Sequence, residues 1–395
     1  MVSKEKQETI LRTTNFNSTM KKLFKKLHLW LSLPLGILIS IVCFSGASLV
    51  FEQEITQALN PHLYKVKHSE QSLPLHPSEL AKRIHEQLPD SLQVISLQLS
   101  QNHEDVCFAL FKGMGKKMMS IHPYTGEING WIPAYPFFQT MRKLHRWLMN
   151  PPAAKGETSA GKIIVGITTL FMVLILISGL ILWLPRNRNA LKRKLYISLA
   201  SWKRFWYDSH VVLGFYSTVF LLLMALTGLT WSFGWYRTLA YNLFSGKETT
   251  AANAVYAHKS TTKGQPGKQN APTGKVFDYK IWDKVWNSLQ KEYEHFETIT
   301  LTTNNAQIIP FTTHIKKPDT AIFNPQSGEI TKIIGYEDTP RSKTLKGWFY
   351  ALHTGSWGGI ITKILYFIAA CIGGVLPISG YYLWWKRTHK TKRLS

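Results

Sequence analysis

Four histidines stand at matching positions in two halves of the chain. His28 and His210 each head an apolar run, and each is followed 18 residues later by a glycine preceded by a hydroxyl residue, in Ser45-Gly46 and Thr227-Gly228. His145 and His353 each follow a leucine and precede a further apolar run. Those two runs end alike, Ser178-Gly179-Leu-Ile-Leu-Trp183 and Ser379-Gly380-Tyr-Tyr-Leu-Trp384. Neutral imidazole is a common metal ligand, and two imidazoles on opposite sides of a plane suit a six-coordinate b-type haem iron. The doubled pattern pairs His28 with His210 and His145 with His353, one pair near each membrane face. Eighteen residues make five helical turns, so Gly46 and Gly228 share a face with His28 and His210, about 27 Å along the axis. Gly46 and Gly228 are expected to clear space for an outer macrocycle, and Gly179 and Gly380 for an inner one. Two b-type haems stacked along the membrane normal in a four-helix bundle follow from this. Each element also has a plainer use, since helix-end histidines serve as interfacial residues and small-residue pairs serve close helix packing.

The elements that must carry these residues are four apolar segments, 28–51, 161–185, 210–235 and 358–385. Each is 24–28 residues long and holds no formal charge except Lys162 and Lys363. A helix of that length spans a hydrocarbon core of roughly 30 Å, and a lysine close to its end can reach the headgroups. The first segment is too long for the core of a signal peptide and reads as a retained anchor. Most of the 14 tryptophans cluster at segment ends, as an interfacial belt requires. Arg142, Arg146, Arg186 and Arg204 lie at a depth suited to haem propionates, although phospholipid contact accounts for them equally.

The formal charge of +24 reads as topology. Residues 1–27 hold seven Lys/Arg and two acids, residues 186–209 seven and one, and residues 386–395 five and none. The longer loops are closer to balance: 52–160 has 11 basic and 10 acidic residues, and 236–357 has 15 and 10. The positive-inside rule places both termini and 186–209 in the cytoplasm and the long loops outside. No clustered basic face for nucleic acid is evident. The three cysteines, Cys43, Cys107 and Cys371, are too scattered for a disulfide framework and read as packing residues.

The exported loops repeat as well. His122-Pro-Tyr-Thr-Gly126-Glu127-Ile128 matches Asn324-Pro-Gln-Ser-Gly328-Glu329-Ile330. Proline sets φ and glycine supplies a positive φ, so each motif predicts a strand-to-strand hairpin. Upstream, 77–88 and 278–291 have helical amphipathicity, and 93–100 and 298–303 read as strands. Each loop is thus expected to form a small α+β module with its own short antiparallel sheet, spanning 52–136 and 236–347. Interfacial segments follow at 137–160 and 348–357. The Thr/Ser/Gly/Lys-rich stretch 245–275 reads as a flexible excursion. The whole is a membrane α-helical fold of two parallel repeats, related by a pseudo-two-fold axis along the membrane normal. Most of the other histidines lack a repeated equivalent; His122 is singled out for its place in the hairpin motif.

The helix order, the paired Pro-x-[Thr/Ser]-Gly-Glu-Ile motifs, the Leu-His motifs at His145 and His353 and the Ser-Gly-x-x-Leu-Trp endings together resemble the PepSY-associated transmembrane proteins, over residues 20–390. These are bacterial inner-membrane proteins linked to iron uptake, and some reduce ferric siderophores in the periplasm through two membrane haems. The resemblance implies PepSY-like exported modules, haem ligation by His28, His210, His145 and His353, and a ferric siderophore as electron acceptor. No Gly-x-Gly-x-x-Gly fingerprint is present, and the cytoplasmic segments are too short for a flavin domain, so the donor is expected to be a cytoplasmic protein or a membrane quinol. Two other classes fit the same residues: a non-redox regulatory or scaffold protein, and a carrier of haem or a metal chelate.

Overall fold

The computed structural model describes residues 2–67, 73–89, 91–154, 157–185, 187–245, 277–311 and 317–391. In chain order its elements are α1 (Val2–Leu49), α2 (Glu52–Leu59), a short 3-10 turn (Pro61–Leu63), α3 (Pro77–Gln87), β1 (Val94–Ser100), β2 (Cys107–Phe111), β3 (Met118–Ile121) and β4 (Ile128–Trp131). Next come α4 (Pro136–Trp147), α5 (Ala160–Trp183), α6 (Arg188–Lys194), α7 (Trp202–Ser232) and α8 (Gly234–Ser245). The chain continues through α9 (Lys280–Glu292), β5 (Phe296–Thr302), β6 (Asn305–Pro310), β7 (Asp319–Phe323), β8 (Ile330–Ile334), α10 (Arg341–Thr354) and α11 (Gly359–Thr391). The excursion expected at 245–275 lies outside the described residues except for Ser245.

Two compact units result. The helical unit comprises Met1–Glu52, Tyr135–Tyr241 and Phe349–Ser395, and the sheet unit Gln53–Ala134 and Asn242–Trp348.

Four helices of the helical unit are long and apolar enough to cross a membrane: Thr19–Leu49, Ala160–Trp183, Trp202–Ser232 and Ser356–His389, with mean hydropathy of 2.0 to 2.7. Their apolar side chains are extensively exposed, as with Ile37, Val219 and Ile361 at 63%, 63% and 70%, which is the surface a lipid solvent calls for. Helix α1 packs on α5 and α11, and α7 packs on the same two. Helices α1 and α7 are therefore diagonal. Starts are set by hydroxyl caps, Ser159 accepting from the Lys162 N–H and Ser201 from the Arg204 N–H. His28 and His210 do not open their helices, because α1 starts far upstream and α7 starts at Trp202. Lysine and arginine are good helix formers, so these helices run on past the apolar stretch.

In the sheet unit the expected helices and strands appear, but not as two separate sheets. All eight strands form one antiparallel sheet in the order β4-β3-β2-β1-β5-β6-β7-β8. The join is β1 against β5, from Ser96 opposite Thr302 to Ser100 opposite Thr298. Two separate meanders would each leave one of these strands as a bare edge of unpaired backbone groups; pairing them removes both edges. Helices α3 and α9 cover one face through Leu80, Ile84, Trp282, Val285 and Leu289, which meet Leu97, Phe111, Ile299 and Ile308 in a single core. The hairpin glycines Gly126 and Gly328 have φ of +72° and +73°. Both turns close alike, with Gly126 N–H donating to His122 O (2.9 Å) and Gly328 N–H to Asn324 O (2.8 Å).

Candidate functional site: two histidine pairs

The helical unit brings the four histidines together two by two. His28 and His210 face each other from the diagonal helices α1 and α7, with ring centroids 6.3 Å apart and planes at 87°. His145, on α4, faces His353, on α10, at 6.0 Å and 47°. Along α1, His28 is five turns from Gly46, which touches His145, so the two pairs are separated by about 27 Å of helix rise.

Each imidazole is oriented in the same way. The ring Nδ1 of His145 donates to Val42 O (2.8 Å), that of His353 to Met224 O (2.9 Å) and that of His28 to Ile175 O (3.1 Å). His210 Nδ1 bonds the Ser379 hydroxyl at 2.8 Å, and its ring is also held by the backbone of Leu376. In every case the carbonyl belongs to the residue four positions before one of the four glycines. A carbonyl only accepts, so Nδ1 carries the proton and Nε2 keeps its lone pair. No hydrogen bond to any of the four Nε2 atoms occurs among the described residues. A backbone carbonyl fixing the tautomer is the usual support for a metal-binding histidine.

The glycines therefore need a different explanation from the one expected. A Cβ on Gly46 would lie 2.8 Å from His145 Cε1, on Gly179 3.2 Å from His28 Cε1, on Gly228 3.1 Å from His353 Cε1 and on Gly380 3.6 Å from His210 Cε1. What stands against each glycine is an imidazole, not open space for a macrocycle. The missing side chain lets the ring approach the helix closely enough to reach the carbonyl. The hydroxyl residue before each glycine completes the cradle: Ser178 and Ser379 donate to the same carbonyls that the histidines bond, each at 2.8 Å. Ser178 Oγ lies 3.1 Å from His28 Nδ1, and Thr227 Oγ1 lies 3.3 Å from His353 Nδ1. Sequence reasoning missed these carbonyl and hydroxyl contacts, although the repeated Ser/Thr-Gly pairs marked where they are.

Burial lowers the pKa of His145, with nearby Arg146 acting in the same direction. His353 is pushed down to about 4 by burial, assisted by His145. Both therefore stay neutral near pH 7, as coordination requires. Trp231 packs against His353 at 5.3 Å between ring centroids.

Three of the four arginines expected at haem propionates are described, and each has a partner within the protein. Arg142 is ion-paired with Glu52. Arg204 pairs with buried Asp208 at 2.8 Å, and Asp208 also accepts from the Ser198 N–H. Both guanidiniums are thus committed to carboxylates. Arg146 lies 4.5 Å over the ring of Trp147, and Arg186 lies outside the described residues. His122 is a turn residue: its Nδ1 accepts from the Tyr124 and Thr125 N–H groups, much as Asn324 Oδ1 accepts from the Gln326 N–H in the other hairpin. Cys43 and Cys107 are buried free thiols.

Among the described residues no group of three or more His, Cys, Asp or Glu could hold a bare metal ion. A porphyrin supplies four ligands of its own, so two imidazoles complete an octahedron. Metal–imidazole bonds run about 2.0–2.1 Å in protein sites, and the ring centre lies about 1.1–1.2 Å beyond the bonded nitrogen. Two imidazoles on one metal then have centroids about 6.2–6.6 Å apart, close to both separations found. The residues present fit the group.

The apolar helices and the antiparallel sheet define a multi-pass membrane protein with a sheet module. The family model of the PepSY-associated TM region matches residues 25–387, nearly the whole chain, and the protein belongs to that family. No curated protein matches the chain.

Proposed function

We propose that this protein is a b-type dihaem electron carrier of the bacterial inner membrane that passes electrons outward to reduce a periplasmic ferric siderophore. The observation that carries the reading is the pair of facing imidazoles at 6.3 and 6.0 Å, each with Nδ1 tied off and Nε2 left with its lone pair. His28 and His210 would hold the inner haem, and His145 and His353 the outer. A haem bound by these imidazoles would supply one-electron chemistry, and the hydrogen bonds at the Nδ1 atoms would tune its potential. The protein's own contribution is orientation: the cradle carbonyls lock each ring, and the apolar helices keep water away. Siderophore oxygens are hard ligands that hold Fe(III) far better than Fe(II), so delivery of one electron frees the iron.

The matching Ser/Thr-Gly cradles and like hairpins support two parallel repeats with PepSY-like exported parts. The charge distribution supports cytoplasmic termini and exported loops. The donor on this reading is a cytoplasmic protein or a membrane quinol. Absorption spectra of the purified protein test the proposal: a Soret band with sharpened α and β bands on reduction is expected. Reoxidation of dithionite-reduced protein by a ferric siderophore should follow. Colourless protein from haem-replete cells would overturn the reading, whereas stable haem that no ferric chelate reoxidises would leave a carrier.

A further inference from the structure

On the topology proposed above, one distribution of charge runs against the rule that sets it. Exported segments beside spanning helices are ordinarily poor in lysine and arginine. Residues 135–162 nevertheless carry Arg142, Lys143, Arg146, Lys155 and Lys162 against the single acid Glu157. Residues 341–363 carry Arg341, Lys343, Lys346 and Lys363 and no acid. The rest of the exported sequence with regular structure is acidic: 53–134 has seven basic and eight acidic residues, and 277–340 has six and nine. Residues 236–276 add six basic residues against one acid, so the excess of cations is shared between that stretch and the two segments that bear His145 and His353.

Helix α4 shows that these charges are not balanced locally. Arg142 and Arg146 are four residues apart on one face, where like charges repel. Glu52 engages Arg142, but Arg146 forms no ion pair among the described residues, and both Arg146 and Lys143 are exposed. His145 lies between them in sequence.

We infer that the outer end of the helical unit, around His145, is a docking surface for anionic metal chelates of the catecholate or carboxylate class. The inference rests on the ferric-chelate reductase reading and narrows its substrate. A tris-catecholate or citrate complex of a trivalent metal is net negative, whereas a trihydroxamate complex with a free amine is net positive. A cationic collar raises the local concentration and arrival rate of the first and repels the second.

The test uses full-length protein in nanodiscs of neutral lipid, with gallium(III) chelates as redox-inert probes and tryptophan quenching as the readout. Gallium tris-catecholate should bind at least about tenfold more tightly than the cationic gallium trihydroxamate, with affinity falling as salt rises. Lys143→Gln and Arg146→Gln should each weaken catecholate binding by about three- to tenfold, and Lys143→Arg should retain it. Equal affinity for the two probes, or Gln variants that bind like the parent, would overturn the inference. So would loss of binding when phosphatidylglycerol is added to the nanodisc, which would make these cations headgroup anchors. Gallium accepts no electron here, so the measurement stands whether or not the protein reduces iron, and haem content is read separately by absorbance.

Discussion

The His28–His210 and His145–His353 pairs use one cradle on two kinds of support. His28 and His210 project from the spanning helices α1 and α7, which are braced along their length by α5 and α11. His145 and His353 project from the shorter helices α4 and α10, whose ends are set by local backbone. Helix α10 stops at Gly355, in the left-handed region at φ +74°, where glycine costs nothing. Helix α4 stops at Leu148 and Met149, with φ of +47° and +66°. Two consecutive left-handed residues with side chains are uncommon and carry a backbone cost. They are held by the Leu148 N–H to Leu144 O and the Met149 N–H to Lys143 O, at 3.0 and 3.2 Å. The His28–His210 pair is therefore positioned by bundle packing, and the His145–His353 pair by turns that docking against α1 and α7 must stabilise.

Removing a ligand gives the largest expected effect. His210→Ala and His353→Ala should each lose about half of the haem measured by pyridine haemochrome, because each leaves the other pair intact. An unchanged haem content in either variant would break the pairing.

The glycines offer a graded test of the cradle. Gly46→Ala places a methyl 2.8 Å from His145, and Gly380→Ala places one 3.6 Å from His210. The first should displace its ring and lower outer-haem occupancy, while the second sits at ordinary van der Waals distance and should be tolerated. The reverse order would show that the glycines serve a packing need unrelated to the imidazoles.

Acid offers a further test of the His145–His353 pair. The folded pKa of His353 lies below the ordinary histidine value, so the unfolded chain binds more protons between about pH 6.5 and pH 4. The stability that comes with neutral His353 is complete above pH 6.5 and is lost as pH falls through that window, by roughly 3 kcal/mol at pH 4. Haem release followed by absorbance should therefore set in across that range in the wild type and be weaker in His353→Ala.

The smallest effect concerns the hydroxyls. Ser379 bonds His210 Nδ1 at 2.8 Å, whereas Ser45 donates to Ile41 O at 2.6 Å and Val42 O at 3.1 Å. Ser379→Ala should shift the midpoint potential of the inner site measurably, consistent with loss of a hydrogen bond worth about 1 kcal/mol. Ser45→Ala should shift the outer site less.

Much of this architecture is readable from local pattern. Apolar length marks the four helices, Pro-x-[Thr/Ser]-Gly-Glu-Ile marks both hairpins, and the recurrence of histidine with Ser/Thr-Gly marks which residues belong together. The purpose of the glycines was not readable, because a gap on a helix face does not say what enters it. The commitments of Arg142 to Glu52 and Arg204 to Asp208 were equally hidden. The first joins residues 90 apart, and nothing in spacing selects that partner over a propionate or a lipid.

By itself the amino-acid order determined the elements, their apolar faces and the chemistry available at each end of the bundle, since these follow from helical period, side-chain transfer energies and turn dihedrals. Only the tertiary structure decided that β1 pairs with β5 to make one sheet of two meanders. Only there do four carbonyls, each four residues before a glycine, meet four imidazoles from other helices. Both outcomes depend on groups far apart in the chain satisfying one another's hydrogen bonds, and no local signal records which distant group will be in reach.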